Sequence, residues 1–214
     1  MFLHRVENGE TLQQIADDYY GDPKRAEDLK EYNDLSGETL SPGAFIHIPL
    51  NKSELKALKR REEARAPYNQ GLELVARGSY VDAVRKFQSA LEIDPEFVDA
   101  RYNLGVTYQN MKAYDKALVQ YKEVARLRRQ NPTYLFATGY CLFHMNNHEK
   151  AVKWFEKALE VDPEHARAQY SLAVTYEKMG QDREAIRAWR RYLEIDGDSE
   201  WAIEARKRLK KLEQ

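Results

Sequence analysis

The sequence predicts a small α+β module followed by an all-α solenoid of four helical hairpins. Two observations carry this. Residues 64–199 repeat every 34 residues with no insertion. Residues 1–50 hold four Lys/Arg and ten Asp/Glu, whereas the rest of the 214-residue chain carries a slight cationic excess. The two parts are therefore different modules, and the repeat decides the fold of the longer one.

In the first module, Phe2 to Val6 reads as a short strand. Gly9-Glu10-Thr11 turns the chain into a helix, with Thr11 as cap and Leu12, Ile15, Ala16 and Tyr19 at helical spacing. Tyr20-Gly21-Asp22-Pro23 stops it and allows a restart. A second helix covers roughly residues 25–32, with Ala26, Leu29 and Tyr32 facing inward. Ser41-Pro42-Gly43 is a turn, and Phe45, Ile46 and Ile48 form a closing strand that Pro49 ends.

That strand-helix-helix-strand order, with the runs VENGETLQQIA (6–16), YNDL (32–35) and SPGAFIHIP (41–49), resembles the LysM domain. The resemblance implies binding of N-acetylglucosamine-containing glycans such as peptidoglycan. It places the site on two loops, Gly9, Glu10, Thr11 and Leu12 on one side, and Asn33, Asp34, Leu35 and Ser36 on the other. Backbone amides and small polar groups there suit hydroxyl and N-acetyl groups. The same residues have a structural reading, with Gly9 and Thr11 as turn and cap and Leu12 and Leu35 as core.

Residues 51–63 read as a charged helical linker, stiffer than a Gly/Ser chain. Two residues could cap it: Asn51, with Glu54 three residues on, carries the helix-start signature, and Ser53, with Lys56 at that offset, would cap without the reciprocal bond. Pro67 is expected to kink or restart that helix where the first repeat opens.

The repeat has a physical reading. Ala83, Ala117, Ala151 and Ala185 share one position, and Phe87, Tyr121, Phe155 and Trp189 another, four residues later. Gly71, Gly105, Gly139 and Ala173 fall twelve before the alanines. Small residues let two antiparallel helices approach, and the aromatic fills the space beside them. Pro95 and Pro163 close second helices. Each hairpin must stack on its neighbours to bury its apolar face. First helices are expected near 67–77, 98–111, 132–145 and 166–179, and second helices near 80–93, 114–127, 148–161 and 182–195. Gly197 stops the array, and 200–212 forms a last helix within a capping segment, 200–214, with Ala202, Ala205, Leu209 and Leu212 as its buried seam. Tyr192 is large where Ala90 and Ala158 are small, and that last helix makes room for it.

The pattern resembles the tetratricopeptide repeat (TPR), most clearly in residues 102–124 and 170–189. The repeats are 64–97, 98–131, 132–165 and 166–199. The resemblance implies a superhelical solenoid whose first helices line a concave groove for a protein or peptide. The ligand-facing positions map to Tyr68, Leu72, Tyr102, Val106, Gln109, Phe136, Tyr140, Phe143, Arg167, Tyr170 and Val174. The recurring column Tyr68, Tyr102, Phe136, Tyr170 reads either as contact surface or as packing between repeats. A chaperone-tail clamp of lysine, asparagine and arginine is not expected, since only Asn103 fits it.

Catalytic and metal chemistry find no foothold. No Ser/His/Asp set, paired-carboxylate motif or phosphate loop appears. The five histidines show no ligand spacing with Cys141, which reads as a small core residue. No cofactor is expected. The cationic excess after residue 50 is too dilute for nucleic acid, and the apolar runs are too short for membrane insertion. The N-terminal residues lack a signal-peptide pattern. A native start at Met1 implies a cytoplasmic protein, and a removed leader implies the periplasm or cell envelope. The leading expectation is a non-enzymatic adaptor between a glycan and a protein. The alternative is an intracellular scaffold whose LysM module does not bind glycan.

Overall fold

The structure is a computed structural model that describes residues 2–37 and 39–214. It contains two compact units, Met1–Arg65 and Ala66–Gln214.

In the N-terminal unit, β1 (Phe2–Arg5) pairs antiparallel with β2 (Phe45–Ile48), Phe2 opposite Ile48 and Arg5 opposite Phe45. Between them run α1 (Leu12–Tyr20), a 3-10 turn (Pro23–Arg25) and α2 (Ala26–Tyr32). Thr11 starts α1 with a reciprocal cap: its hydroxyl accepts from the Gln14 amide at 3.2 Å, and Gln14 Oε1 accepts from the Thr11 amide at 2.8 Å. Gly21 ends the helix at φ +69°, a left-handed conformation that suits glycine. Val6, Leu12, Ile15, Leu29, Ile46 and Ile48 fill the core together with Ala16 and Ala26.

Tyr32 departs from expectation. It is 48% exposed, not inward. Asn33 takes the inward place, four residues after Leu29. Its amide donates to the carbonyls of Leu29 (2.8 Å) and His47 (3.0 Å), and its Oδ1 accepts from the His47 amide (2.8 Å).

Pro67 does not restart the helix. Helix α3 (Lys52–Ala76) is continuous, with Pro67 inside it. The proline removes the hydrogen bond to the Glu63 carbonyl, but Glu63 is exposed, so water can serve that carbonyl. The start is as expected: Asn51 Oδ1 accepts from the amides of Ser53 and Glu54, and Glu54 accepts from the Asn51 amide. Residues 52–65 of this helix belong to the N-terminal unit.

The C-terminal unit continues with α4 (Tyr80–Ile93), α5 (Val98–Asn110), α6 (Tyr114–Leu127), α7 (Pro132–His144), α8 (His148–Val161), α9 (Ala166–Lys178), α10 (Asp182–Ile195) and α11 (Glu200–Leu212). These alternate as first and second helices of stacked hairpins. The second helices coincide with the ranges read from the repeat. Each hairpin turn uses a left-handed residue at one repeat position: Gly78, Lys112, Asn146 and Gly180, with φ between +58° and +74°. Asn131 caps α7 by accepting from the Thr133 and Tyr134 amides, with Pro132 in the first turn.

The small-residue column is tightly used. A β-carbon on Gly71 would lie 2.6 Å from the Phe87 ring, and one on Gly139 would lie 2.7 Å from Phe155. Phe87, Tyr121, Phe155 and Trp189 are all buried. At the C-terminal end Tyr192 is buried with Trp189 and Ala205, and Leu209 and Leu212 of α11 pack against them. Ser199 caps α11 and donates to Asp196, which also accepts from the Tyr192 hydroxyl at 2.7 Å. Among the described residues, no helix is long and apolar enough to cross a membrane.

Candidate binding surfaces

The two predicted glycan loops meet at one core, because Leu12 is buried in the cluster against which Leu35 packs. Their residues divide into two groups. Gly9, Thr11, Asp34 and Ser36 are exposed, Gly9 at φ +79° and Asp34 at φ +52°. Leu12, Glu10 and Asn33 are committed to the fold. Leu12 is core and Asn33 clasps β2. Glu10 Oε2 accepts from the Glu7 amide at 2.8 Å and lies 2.8 Å from His4 Nε2, while His4 Nδ1 lies 3.1 Å from the Tyr19 hydroxyl. Burial works against the Glu10 charge, yet the Glu7 amide and His4 outweigh it and hold the carboxyl below its ordinary range. Glu10 is thus a loop staple and not a free ligand group. Sequence spacing gave no signal of it, since His4 lies outside the motif and the Glu7 contact is made by a backbone amide.

A cleft of about 600 Å³ lies beside that staple, lined by Phe2, His4, Glu10, Tyr19, Leu58 and Lys59 among others. It involves α3 residues of the same unit, which the motif reading did not consider.

In the helical unit the aromatic column is engaged in packing. Tyr68 lies 5.9 Å from Phe87 and 4.9 Å from Phe97. Tyr102 lies 5.7 Å from Tyr121 and 5.1 Å from Tyr134. Tyr170 touches Trp189, Tyr192 and Trp201. Phe136 is only 6% exposed, between Phe155, Tyr140 and His165, and so is a packing residue rather than free groove surface. Tyr68, Tyr102, Tyr140 and Tyr170 are half-buried, leaving part of each ring accessible.

Other predicted groove positions vary. Val106, Phe143 and Val174 are half-buried, and Leu72 is exposed. Gln109 accepts from the Tyr121 hydroxyl at 3.0 Å. Asn103 donates to the Tyr68 hydroxyl and the Asp99 carbonyl, so its amide is in use. Arg167 is exposed, with its guanidinium carbon 4.8 Å from the Phe136 ring centroid. Cys141 is buried, and burial pushes its thiol up to about 12, which makes it an inert core group. Among the described residues, no group of three His, Cys, Asp or Glu is placed to hold a metal ion.

Comparison with known proteins agrees with both units. A model of the LysM domain matches residues 4–49. Models described as TPR repeat and as tetratricopeptide repeat match residues 71–112 and 133–198, and one described as YpiA-like, C-terminal tetratricopeptide repeats matches 99–165. The chain is a LysM domain followed by tetratricopeptide repeats. Both are non-catalytic modules, and their combination is that of an interaction protein.

The LysM–TPR chain is 27% identical over 187 residues to TPR repeat-containing protein YpiA of Bacillus subtilis (strain 168), covering 80% of this chain and 44% of that protein. It is 30% identical over 169 residues to the probable UDP-N-acetylglucosamine--peptide N-acetylglucosaminyltransferase SPINDLY of Solanum lycopersicum, covering 79% of this chain and 16% of that one. The chain thus spans less than half the length of either relative. Among solved structures, YrrB, described as a TPR protein with an unusual peptide-binding site, superposes with a TM-score of 0.63 at 26% identity, over 72% of this chain and 79% of that one. A MamA structure gives a TM-score of 0.63 at 21% identity, over 71% of this chain and 86% of MamA, and shares the fold.

Proposed function

We propose that this protein is a non-enzymatic adaptor. Its LysM module holds an N-acetylglucosamine-containing glycan such as peptidoglycan, and the concave face of its TPR array holds a peptide segment of a protein partner. The observation that carries the glycan half is the set of exposed polar groups at Gly9, Thr11, Asp34 and Ser36 around the Leu12–Leu35 cluster. Those groups offer amides, a hydroxyl and a carboxylate to sugar hydroxyl and N-acetyl groups. The peptide half draws on the half-exposed rings of Tyr102, Tyr140 and Tyr170, which supply contact area at low entropy cost. The likeness to YrrB supports it.

An NMR titration of the chain with N-acetylglucosamine oligomers tests the glycan half. Shifts concentrated at Gly9–Leu12 and Asn33–Ser36 are expected. Their absence at millimolar oligomer would favour a second reading, a scaffold whose LysM module does not bind glycan. Two observations speak for that second reading: the internal use of Glu10 and Asn33, and the acidic excess of residues 1–50.

A further inference from the structure

Helix α11 continues the repeat register of the first helices. Adding 34 to each residue number maps Phe136 onto Tyr170 and Arg167 onto Trp201. The contacts repeat as well. Arg167 lies over Phe136 of the preceding first helix, 4.8 Å from the ring centroid, and Trp201 lies against Tyr170 at 5.4 Å. Arg167 and Trp201 are therefore equivalent residues of neighbouring hairpins, each seated on the aromatic column, and both are exposed, Trp201 at 63%.

Many arginines of this unit are neutralised by a carboxylate, and Arg167 is not. Arg85, Arg126, Arg187, Arg190, Arg191 and Arg208 each pair with a carboxylate. Arg167 forms no hydrogen bond or ion pair with any described residue. Its guanidinium lies over the Phe136 ring and near enough to Tyr102, Tyr121 and Tyr140 to act on each electrostatically. A cation held on an aromatic face keeps its N–H fork available, and that fork matches a carboxylate.

We propose that Arg167 and Trp201 form a two-point reader on the TPR array, taking a peptide with an acidic side chain on Arg167 and an apolar or aromatic side chain about three residues away on Trp201. This rests on the peptide-groove reading and makes it specific. General helix packing sets the spacing. Packed helices lie about 8–10 Å apart, and an extended peptide covers that distance in about three residues. Charge complementarity selects the occupant, because Arg167 is an exposed cation with no carboxylate partner among the described residues.

The test is an array of synthetic peptides of about 12 residues, each with Glu, Gln or Lys at one fixed position and Leu, Trp or Ser at a second position two to five residues away. They are probed with the full chain and with its Arg167→Glu and Trp201→Ala variants, whose folding is checked by circular dichroism. The expected result is selection of Glu with Leu or Trp three residues off. Arg167→Glu should weaken the selected peptide about 5- to 10-fold and shift the preference to Lys, and Trp201→Ala should remove only the apolar preference. Binding peptides that show no preference for Glu, or whose preference survives Arg167→Glu, would overturn the reader while leaving a peptide groove in place. No peptide bound above background would overturn both.

Discussion

Gly105 and Tyr121 meet so closely that a β-carbon on the glycine would lie 2.6 Å from Cε1 of the ring. Alanine is otherwise the better helix residue, by about 1 kcal/mol. At this position the ring must move, and it is buried with its hydroxyl fixed on Gln109. Gly105→Ala is therefore expected to destabilise the array, by about 1–3 kcal/mol. A urea melt that moves to higher midpoint would contradict this packing. The last repeat tolerates Ala173 at the equivalent position, opposite Trp189.

Phe136→Ala should cost about 3–5 kcal/mol, since the ring is buried against Phe155. Partner loss in that variant would report unfolding rather than recognition. A thermal melt of the variant within a degree of the wild type would return Phe136 to the groove surface.

Ala151 is fully buried where the two helices of the third hairpin cross. Ala151→Leu should overpack it, with a loss of about 1–3 kcal/mol. An unchanged melting temperature would contradict the helix pairing.

Lys112 sits in a left-handed turn at φ +59°, where two other hairpins have glycine. A side chain there costs roughly 1–2 kcal/mol, against about 0.5–1 kcal/mol of added chain entropy for glycine. Lys112→Gly should leave stability unchanged or raise it by about 1 kcal/mol. A clear loss in a urea melt would mean that the turn is not strained.

The Glu7 amide and His4 hold the Glu10 carboxyl below the ordinary glutamate value of about 4.5, against the opposing effect of burial. A lowered folded-state value means that its contribution is present above about pH 4.5 and is lost as pH falls through the folded-state value. Glu10→Gln should remove that part of the acid sensitivity and weaken the LysM unit at neutral pH by about 1–2 kcal/mol. Equal acid melts of the two proteins would contradict the staple.

Much of this fold was legible because the period repeats. Four occurrences of one alanine–aromatic pattern locate every second helix, and capping signatures at Thr11 and Asn51 mark their helices correctly. Pro67 does not interrupt α3, because the carbonyl it leaves without an amide partner belongs to exposed Glu63, where water can serve it. Phe136 misled because helical position does not separate a ring that faces open groove from one covered by His165 and Arg167 at the start of α9. Glu10 and Asn33 looked like ligand groups because no helix or strand period links Glu10 to His4 or Asn33 to His47, which only the folded chain brings together. Trp201 was hidden because Lys207 stands in α11 where the hairpins have glycine or alanine, which breaks the repeat signature.

Co-sedimentation with purified peptidoglycan tests the adaptor reading most directly, comparing the full chain with residues 66–214. The account predicts that the full chain pellets with the glycan, that residues 66–214 stay in solution, and that free N-acetylglucosamine oligomer releases the full chain. Equal behaviour of the two, or retention of the full chain in the supernatant, would contradict it.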